Sequence, residues 1–568
     1  MAKAFYLKLA WANVRRNKLT YLPYIIATGV ISGVILLIAG LMFSDGLNNL
    51  PSGKTAAAMF NMGLVVFCIF AFFFMVYINN FLIGRRKKEF ALYGILGLQK
   101  RDVGRVLVLE NLITLSAGVL CGILIALVFG KLLFLILLKI MRTAVGSSFI
   151  ISPFAYVISL LVFVAVFIVT SLINLRQIRI SSPIELLHSE KKGEVKSPLM
   201  IPFTIFGLIA ICGAYYFAWS IDSPHIALGA FFLLVILVIF ATYTLFTSGS
   251  IALLKLLRAN KRMYYKLNNF VSISGMLHRM KQNARSLATI CILSTMLIVT
   301  VSGTLALYLG QEEMIAGSHP FDVTISVDEN NGEAAICDFD KAILVLADEY
   351  DVTISADKSK LIYELPENIE FNSNYVSPEA KIIDVPNLIW INGIFMFDVD
   401  GTQHNCLAFI DGLRELHRAT FNEGFNASDV FSMRQEGYAL YGGLLFMGVF
   451  FGLLFLAVTV LIIYFKQITE GYEDKERFAI LQKVGMDDAQ VKATINRQVL
   501  WMFFIPLFTT VLHTVFASRI MAQMLRVFMV YDWGMVLACI LGVCLIFVLL
   551  YLIVYRLTAR VYYKIVKW

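Results

Sequence analysis

Ten stretches of mainly apolar residues constrain this chain more than anything else in it. They cover roughly 21–43, 58–82, 106–130, 153–175, 200–220, 225–247, 286–309, 438–464, 499–522 and 534–556. Each is about the 20 residues that an α-helix needs to cross a bilayer. The rest of the composition agrees. Of 568 residues, 59% are hydrophobic and 15% charged, against about 45–50% and about 25% in soluble domains. A water-soluble enzyme and a disordered chain are both excluded on that ground. With only 12 prolines, the apolar runs can form long unbroken helices.

Charge sets the expected sidedness. Lys and Arg concentrate at 15–18, 85–101, 176–196, 255–285, 466–497 and 556–567, in alternate loops and at both ends of the chain. The positive-inside rule assigns these to the cytoplasm. Met1–Lys18 reads as a surface-lying amphipathic helix over Phe5–Asn17, not a signal peptide, because a full-length span follows its basic cluster. The long polar stretch 311–436 then falls outside. It holds 24 Asp and Glu against 7 Lys and Arg, a net charge of −17, so the remainder carries +26. Six of the eight cysteines lie in apolar runs, and the exterior pair, Cys337 and Cys406, is open to either a bridge or free thiols.

The chain also repeats itself. Phe90, Ala91, Gly97 and Val103 recur as Phe478, Ala479, Gly485 and Val491 at an offset of 388. Arg15, Asn17 and Ile26 recur as Lys281, Asn283 and Ile292 at an offset of 266. The two offsets differ by nearly the length of the polar stretch. The economical fold is a polytopic all-α membrane protein with ten transmembrane helices. Residues 1–190 form a first four-helix repeat, and 191–265 form two linker helices. Residues 266–310 begin the second repeat, 311–436 are an inserted α+β extracellular domain, and 437–568 complete the repeat. Within the insert, Phe321–Val327, Asp351–Ser355, Leu361–Leu365 and Lys381–Asp384 read as strands and Phe339–Glu349 as a helix. Ile389–Phe397 reads as a buried strand pair or an exposed patch. Asp411 is placed to cap a helix running to about Phe421.

Each repeat carries a short segment between its second and third spans. Phe90, Tyr93 and Leu96, like Phe478, Leu481 and Val484, stand at i, i+3 and i+6, and Gly97 or Gly485 ends the helix. Such a helix rests on headgroups or docks into a groove on a partner. Its occurrence at two equivalent positions favours a two-fold partner.

Longer runs of residues carry a resemblance. Lys466–Met486, with Asn496–Val499 and Pro506 to His513, is similar to the FtsX-like permeases of bacitracin-resistance (Bce-type) ABC transporters. So are Arg85–Gly97 with Glu110, Ser182–Leu187, and His319–Asp322. The resemblance implies a transport subunit that is not itself an enzyme. Its ATP and Mg would be held by two copies of a separate ATPase, which grip Glu89, Phe90, Tyr93, Leu96 and Gly97 and their mates Glu476, Phe478, Leu481, Val484 and Gly485. The chain itself has no G-x-x-x-x-G-K-[ST] loop. The resemblance further implies resistance to peptide antibiotics by their release from undecaprenyl-pyrophosphate lipid, and a two-span sensor histidine kinase as partner. Related permeases with other cargo (lipids, lipoproteins or activated wall hydrolases) are the alternative.

Individual polar residues remain to be placed. Lys131 and Arg519 share the 388 offset, and Lys139, Arg142 and Arg526 lie near them in sequence. They are candidates for holding a lipid pyrophosphate, or for snorkelling to the interface. Glu110, inside the third span, is a functional acid or a carboxylate paired with Arg105 or a neighbouring lysine. His513, in the ninth span, is a packing residue or a relay. No catalytic constellation and no metal-ligand spacing stands out.

Overall fold

The computed structural model describes residues 2–48, 53–143, 150–180, 200–264, 267–326, 333–355, 382–385, 388–391, 394–421, 426–483 and 488–566. Ten of its helices are long and apolar enough to cross a membrane, one for each apolar run. Helices outlast the apolar runs at several ends. Span 1 is Lys18–Met42, span 2 Gly53–Arg85, span 3 Lys100–Ile140 and span 4 Pro153–Ile180. Spans 5 and 6, Met200–Ser220 and Pro224–Thr244, form the linker. Span 7 belongs to Leu267–Ser318, span 8 to Val430–Lys483, span 9 to Asp488–Arg526 and span 10 to Trp533–Val566. Backbone groups that continue the i→i−4 ladder need no other partner, so a helix has no reason to stop where hydrophobicity does.

The chain divides into two compact units. The first holds 1–308, 442–527 and 532–568. Span 1 packs closely against span 3, and the reason is small residues. A Cβ on Gly122 would lie 2.7 Å from the backbone nitrogen of Gly33 and 2.8 Å from the Gly29 carbonyl oxygen. One on Gly118 would lie 2.5 Å from the Thr28 side chain. In lipid, where association has little hydrophobic drive, such close backbone approach supplies the contact. Span 2 meets span 8 through aromatic rings instead. Phe67 lies 5.4 Å from Phe451, Phe70 5.8 Å from Phe455, and Phe81 5.5 Å from Phe465. These offset and edge-on separations are the favourable ones for ring pairs.

The second unit holds 309–441 and 528–531. It contains an antiparallel sheet of β1 (Val323–Ser326), β2 (Thr353–Ser355), β3 (Ile382–Val385), β4 (Leu388–Ile391), β5 (Ile394–Asp400) and β6 (Asn426–Asp429). The order is β3-β4-β5-β1-β6, with β2 also on β5. Alternate residues Val323, Ile325, Phe395, Phe397 and Val399 face the helices Glu333–Glu349 and Gln403–Phe421, and all are buried. The run from Ile389 is therefore a hairpin whose second strand is a core strand. Asp411 caps nothing. It sits inside the helix Gln403–Phe421, which begins eight residues earlier, and pairs with Arg414 at 3.1 Å. Cys406 is a buried free thiol, so no bridge to Cys337 forms. The Leu361–Leu365 strand lies outside the described residues.

Two outcomes follow from this packing. Gly122→Val should destabilise the folded protein by about 1–3 kcal/mol, the cost of overpacking. Gly213→Ala, where a Cβ meets nothing within 4 Å, should be neutral, as read by thermal unfolding in detergent. In the inserted unit, Asp340 is buried, and its Oδ1 has no hydrogen-bond partner among the described residues. Burial pushes its carboxyl above the usual range, against the pull of Lys341. A carboxyl whose folded pKa is raised costs stability as pH climbs through that interval. Asp340→Asn should therefore raise the thermal midpoint at neutral pH, with the gain vanishing below the ordinary carboxylate range.

Candidate functional site

Span 2 ends in four consecutive basic residues, Arg85–Lys88, and the helix breaks at Arg86 (φ −95, ψ 5). A separate nine-residue helix, Lys87–Ile95, follows and is the first lever. Gly97, at φ +95, turns the chain into span 3, a conformation that glycine adopts without Cβ strain. Although Arg86 reads as one more surface charge, its side chain is 3% exposed. It turns inward onto Glu110, whose side chain is 2% exposed. The guanidinium donates to both carboxylate oxygens of Glu110, the Nη2–Oε1 bond being 3.1 Å, and its Nε donates to Glu89 at 2.8 Å. Tyr21 of span 1 donates to Glu110 Oε2 at 2.9 Å, and Asn13 of the N-terminal helix Ala2–Arg16 donates to Oε1 at 2.7 Å. Tyr93 of the lever in turn donates to Asn13 at 3.2 Å. Arg86 also lies 5.1 Å over the Phe90 ring.

One buried ion pair thus ties together the N-terminal helix, the first lever and spans 1, 2 and 3. A doubly hydrogen-bonded arginine–carboxylate pair fixes orientation as well as distance. Arg105, which sequence alone offered as the partner of Glu110, pairs with Asp102 at 3.0 Å. The lever's outward side is apolar. Leu92 and Ile95 are exposed, and Leu96, just past the helix end, is 80% exposed. Phe90 and Ala91 point inward and are buried, so Phe90, Tyr93 and Leu96 do not share one face as their spacing suggested.

The second lever is built differently. It is no separate helix but the tail of Val430–Lys483, which also contains span 8. Lys466, Gln467, Glu470 and Asp474 are all buried along it, and Asp474 accepts a hydrogen bond from Tyr562 of span 10. Val484 and Gly485 lie outside the described residues, as do the side chains of Glu476, Phe478 and Leu481.

The two repeats match in three dimensions. A small cavity in the first is lined by Tyr21, Tyr24, Asn79, Glu110 and Thr114, among others. A small one in the second is lined by Leu287, Ile290, Gln467 and Met502, among others. Leu287 and Ile290 stand 266 residues after Tyr21 and Tyr24, and Gln467 and Met502 stand 388 after Asn79 and Thr114. Both offsets are those found in the sequence.

The remaining candidates are scattered. Lys131, Lys139, Arg142 and Arg526 are exposed. Arg519 is engaged by Asp222 at 2.8 Å and lies 5.4 Å over Trp219, which ties span 9 to the end of the linker's span 5. His513 bonds Tyr215 at 2.5 Å and Thr242 at 3.0 Å, joining spans 5, 6 and 9. Tyr215 stacks on Phe516 at 3.9 Å. Among the described residues no group of three His, Cys, Asp or Glu side chains is placed to hold a metal. Sequence reasoning missed Arg86, Tyr21 and Asn13. Its one available signal was the repeat itself, which sets Arg86 against Asp474 and Glu110 against Gln498.

Comparison with known proteins bears on this arrangement. Residues 61–183 and 449–562 match the family described as FtsX-like permease C-terminal, and the two matches begin 388 residues apart. The uncharacterized ABC transporter permease YvcS of Bacillus subtilis is 23% identical over 91% of this chain and 94% of that protein. The bacitracin export permease protein BceB of Halalkalibacterium halodurans is 23% identical over 89% and 92%. The BceB protein of Bacillus subtilis is 22% identical over 92% and 96%.

Glu110→Gln keeps the shape of the side chain and leaves the buried Arg86 charge with only the partly exposed Glu89 as counter-charge. It should cost about 3–5 kcal/mol, the usual penalty for removing one partner of a buried pair, read as a fall in the thermal midpoint of the purified protein.

Proposed function

We propose that this chain, which matches the FtsX-like permease family over residues 61–183 and 449–562, is an ABC-transporter permease of the Bce type, and that its two levers are the seats of two copies of a separate ATPase. The work done is mechanical transmission. Nucleotide binding in the partner pair draws the levers together, and the spans carry the displacement through the membrane. The observation that supports this most is the two-sidedness of the first lever. Its inward side is pinned by Arg86 and Glu110, while Leu92, Ile95 and Leu96 present an apolar edge to a partner. A lever needs a rigid attachment and a free surface to be pushed, and this segment has both.

In this reading both termini and both levers are cytoplasmic, and residues 311–436 are extracellular. The cargo we propose is a cell-wall-directed peptide antibiotic, released from undecaprenyl-pyrophosphate lipid. The names of the bacitracin export relatives support that class. Lys131, Lys139, Arg142 and Arg526, all exposed, are the cations we propose for meeting a lipid pyrophosphate. Arg519 would join them only on leaving Asp222. A two-span sensor histidine kinase that reads the transport cycle completes the proposed assembly.

Affinity purification from the native membrane should recover a phosphate-loop ATPase at two copies per permease. Leu96→Asp with Ile95→Asp should reduce that recovery by about tenfold or more, the effect of charging the centre of an apolar contact. A permease that hydrolyses ATP alone, or that recovers no ATPase, would overturn the proposal.

A further inference from the structure

The two levers occupy equivalent places in a duplicated fold, yet their attachments differ in three independent respects. The first is charge. Register across the repeats sets Arg86 opposite Asp474 and Glu110 opposite Gln498. The arginine–glutamate pairing therefore cannot form at the matching positions of the second copy, where Asp474 accepts, among its contacts, from the hydroxyl of Tyr562. The second is backbone continuity. The first lever is cut off from span 2 by the break at Arg86 and from span 3 by Gly97. The second continues span 8 without interruption to Lys483. The third is the space beside the attachment. The first-copy cavity is lined by Tyr21, Tyr24, Asn79 and Thr114, among others, and the buried Tyr24 hydroxyl has no hydrogen-bond partner among the described residues. The same four places in the second copy hold Leu287, Ile290, Gln467 and Met502.

We propose that the two levers are unequal inputs: the first is a hinged arm whose orientation is set by Arg86 as a positioning residue, and the second is a rigid extension of span 8. A helix that continues through its lever transmits a push by its own hydrogen-bond ladder and needs no latch. A nine-residue helix between a break and a glycine has no such ladder to its neighbours. Across the break the backbone keeps only turn bonds such as Arg86 N to Ile83 O at 3.0 Å, so its direction leans on side-chain contacts, of which the bidentate Arg86–Glu110 pair is the most directional. The Tyr24 hydroxyl of the adjoining cavity, which has no partner among the described residues, offers the pair another hydrogen-bonding group when the arm swings. The motor that seats on the first lever would therefore work against a latch, and the other would drive span 8 directly. The meaning of "seat" here rests on the function proposed above, but the mechanical inequality does not.

The test uses the full-length protein in lipid nanodiscs, with native cysteines replaced and no ATPase present. Spin labels at Ile95→Cys and Arg179→Cys report the first lever, and labels at Ile480→Cys and Arg560→Cys report the second. Pulsed electron–electron distance measurements should give one narrow distribution for each pair. Arg86→Met should abolish the narrow peak of the first pair, and Arg86→Lys, which keeps the cation but loses the two-pronged geometry, should broaden it by an intermediate amount. Asp474→Asn should leave the second pair narrow. Should Arg86→Met not yield folded protein, Glu110→Gln reads the same quantity. An unchanged first distribution on removing the pair, or a second distribution that Asp474→Asn broadens as much, would overturn the proposal. Failure to recover an ATPase would instead sink the seat reading and leave this result standing.

Discussion

A charged pair sealed between helices at a membrane edge is costly to build and harder to break. Neither Arg86 nor Glu110 has water to fall back on, so each is tolerated only because the other is present, with Tyr21, Asn13 and Glu89 taking up the remaining donors and acceptors. Everything at that end of the first repeat is arranged around this requirement. Span 3 supplies the acid, the end of span 2 supplies the base, and span 1 and the N-terminal helix supply neutral donors. The lever supplies Phe90 beneath the guanidinium. The pair is not a large stabiliser in itself. Its consequence is specificity: one orientation of the lever satisfies all the groups together.

The rest of the first unit shows the two ways in which helices associate where water cannot drive them together. Spans 1 and 3 approach through Gly29, Gly33, Gly118 and Gly122, which lets backbones touch. Spans 2 and 8 keep their distance and fill it with phenylalanine. The linker uses a third device, a polar seam. His513, Tyr215 and Thr242 bond in the interior, and Arg519 and Asp222 bond at the span ends. The histidine and the arginine, which stand out in the sequence as functional candidates, are both engaged in holding the two linker helices to span 9.

Duplication followed by divergence accounts for the inequality of the levers. Two copies of one fold keep the cavity positions and the helix order, because those follow from packing that both copies share. They need not keep the chemistry at each position. Asp474 stands where Arg86 stands, so the arginine–glutamate pairing of the first copy cannot be reproduced at the same positions of the second. The other copy has kept its lever aligned by never breaking the helix.

The sequence by itself determined the ten spans, the two-fold repeat, the insertion and the strand-and-helix character of most of the inserted domain. All of these follow from periodicity, run length and charge balance, which are local properties of a chain. It placed the lever regions and read each as a short helix, which holds for Lys87–Ile95 ahead of Gly97. It could not show that the second continues span 8, because a helix ends where a turn residue and its tertiary contacts permit, not where hydrophobicity falls. Nor could it choose the partner of Glu110. Arg105 is one turn away along the helix, whereas Arg86 is 24 positions away and sits among four basic residues that look alike in one dimension. Only the packing of span 2 against spans 1 and 3 turns one of those four inward. Burial, which the linear order of residues does not record, made that one a lock and left the apolar edge at Leu92, Ile95 and Leu96 facing out.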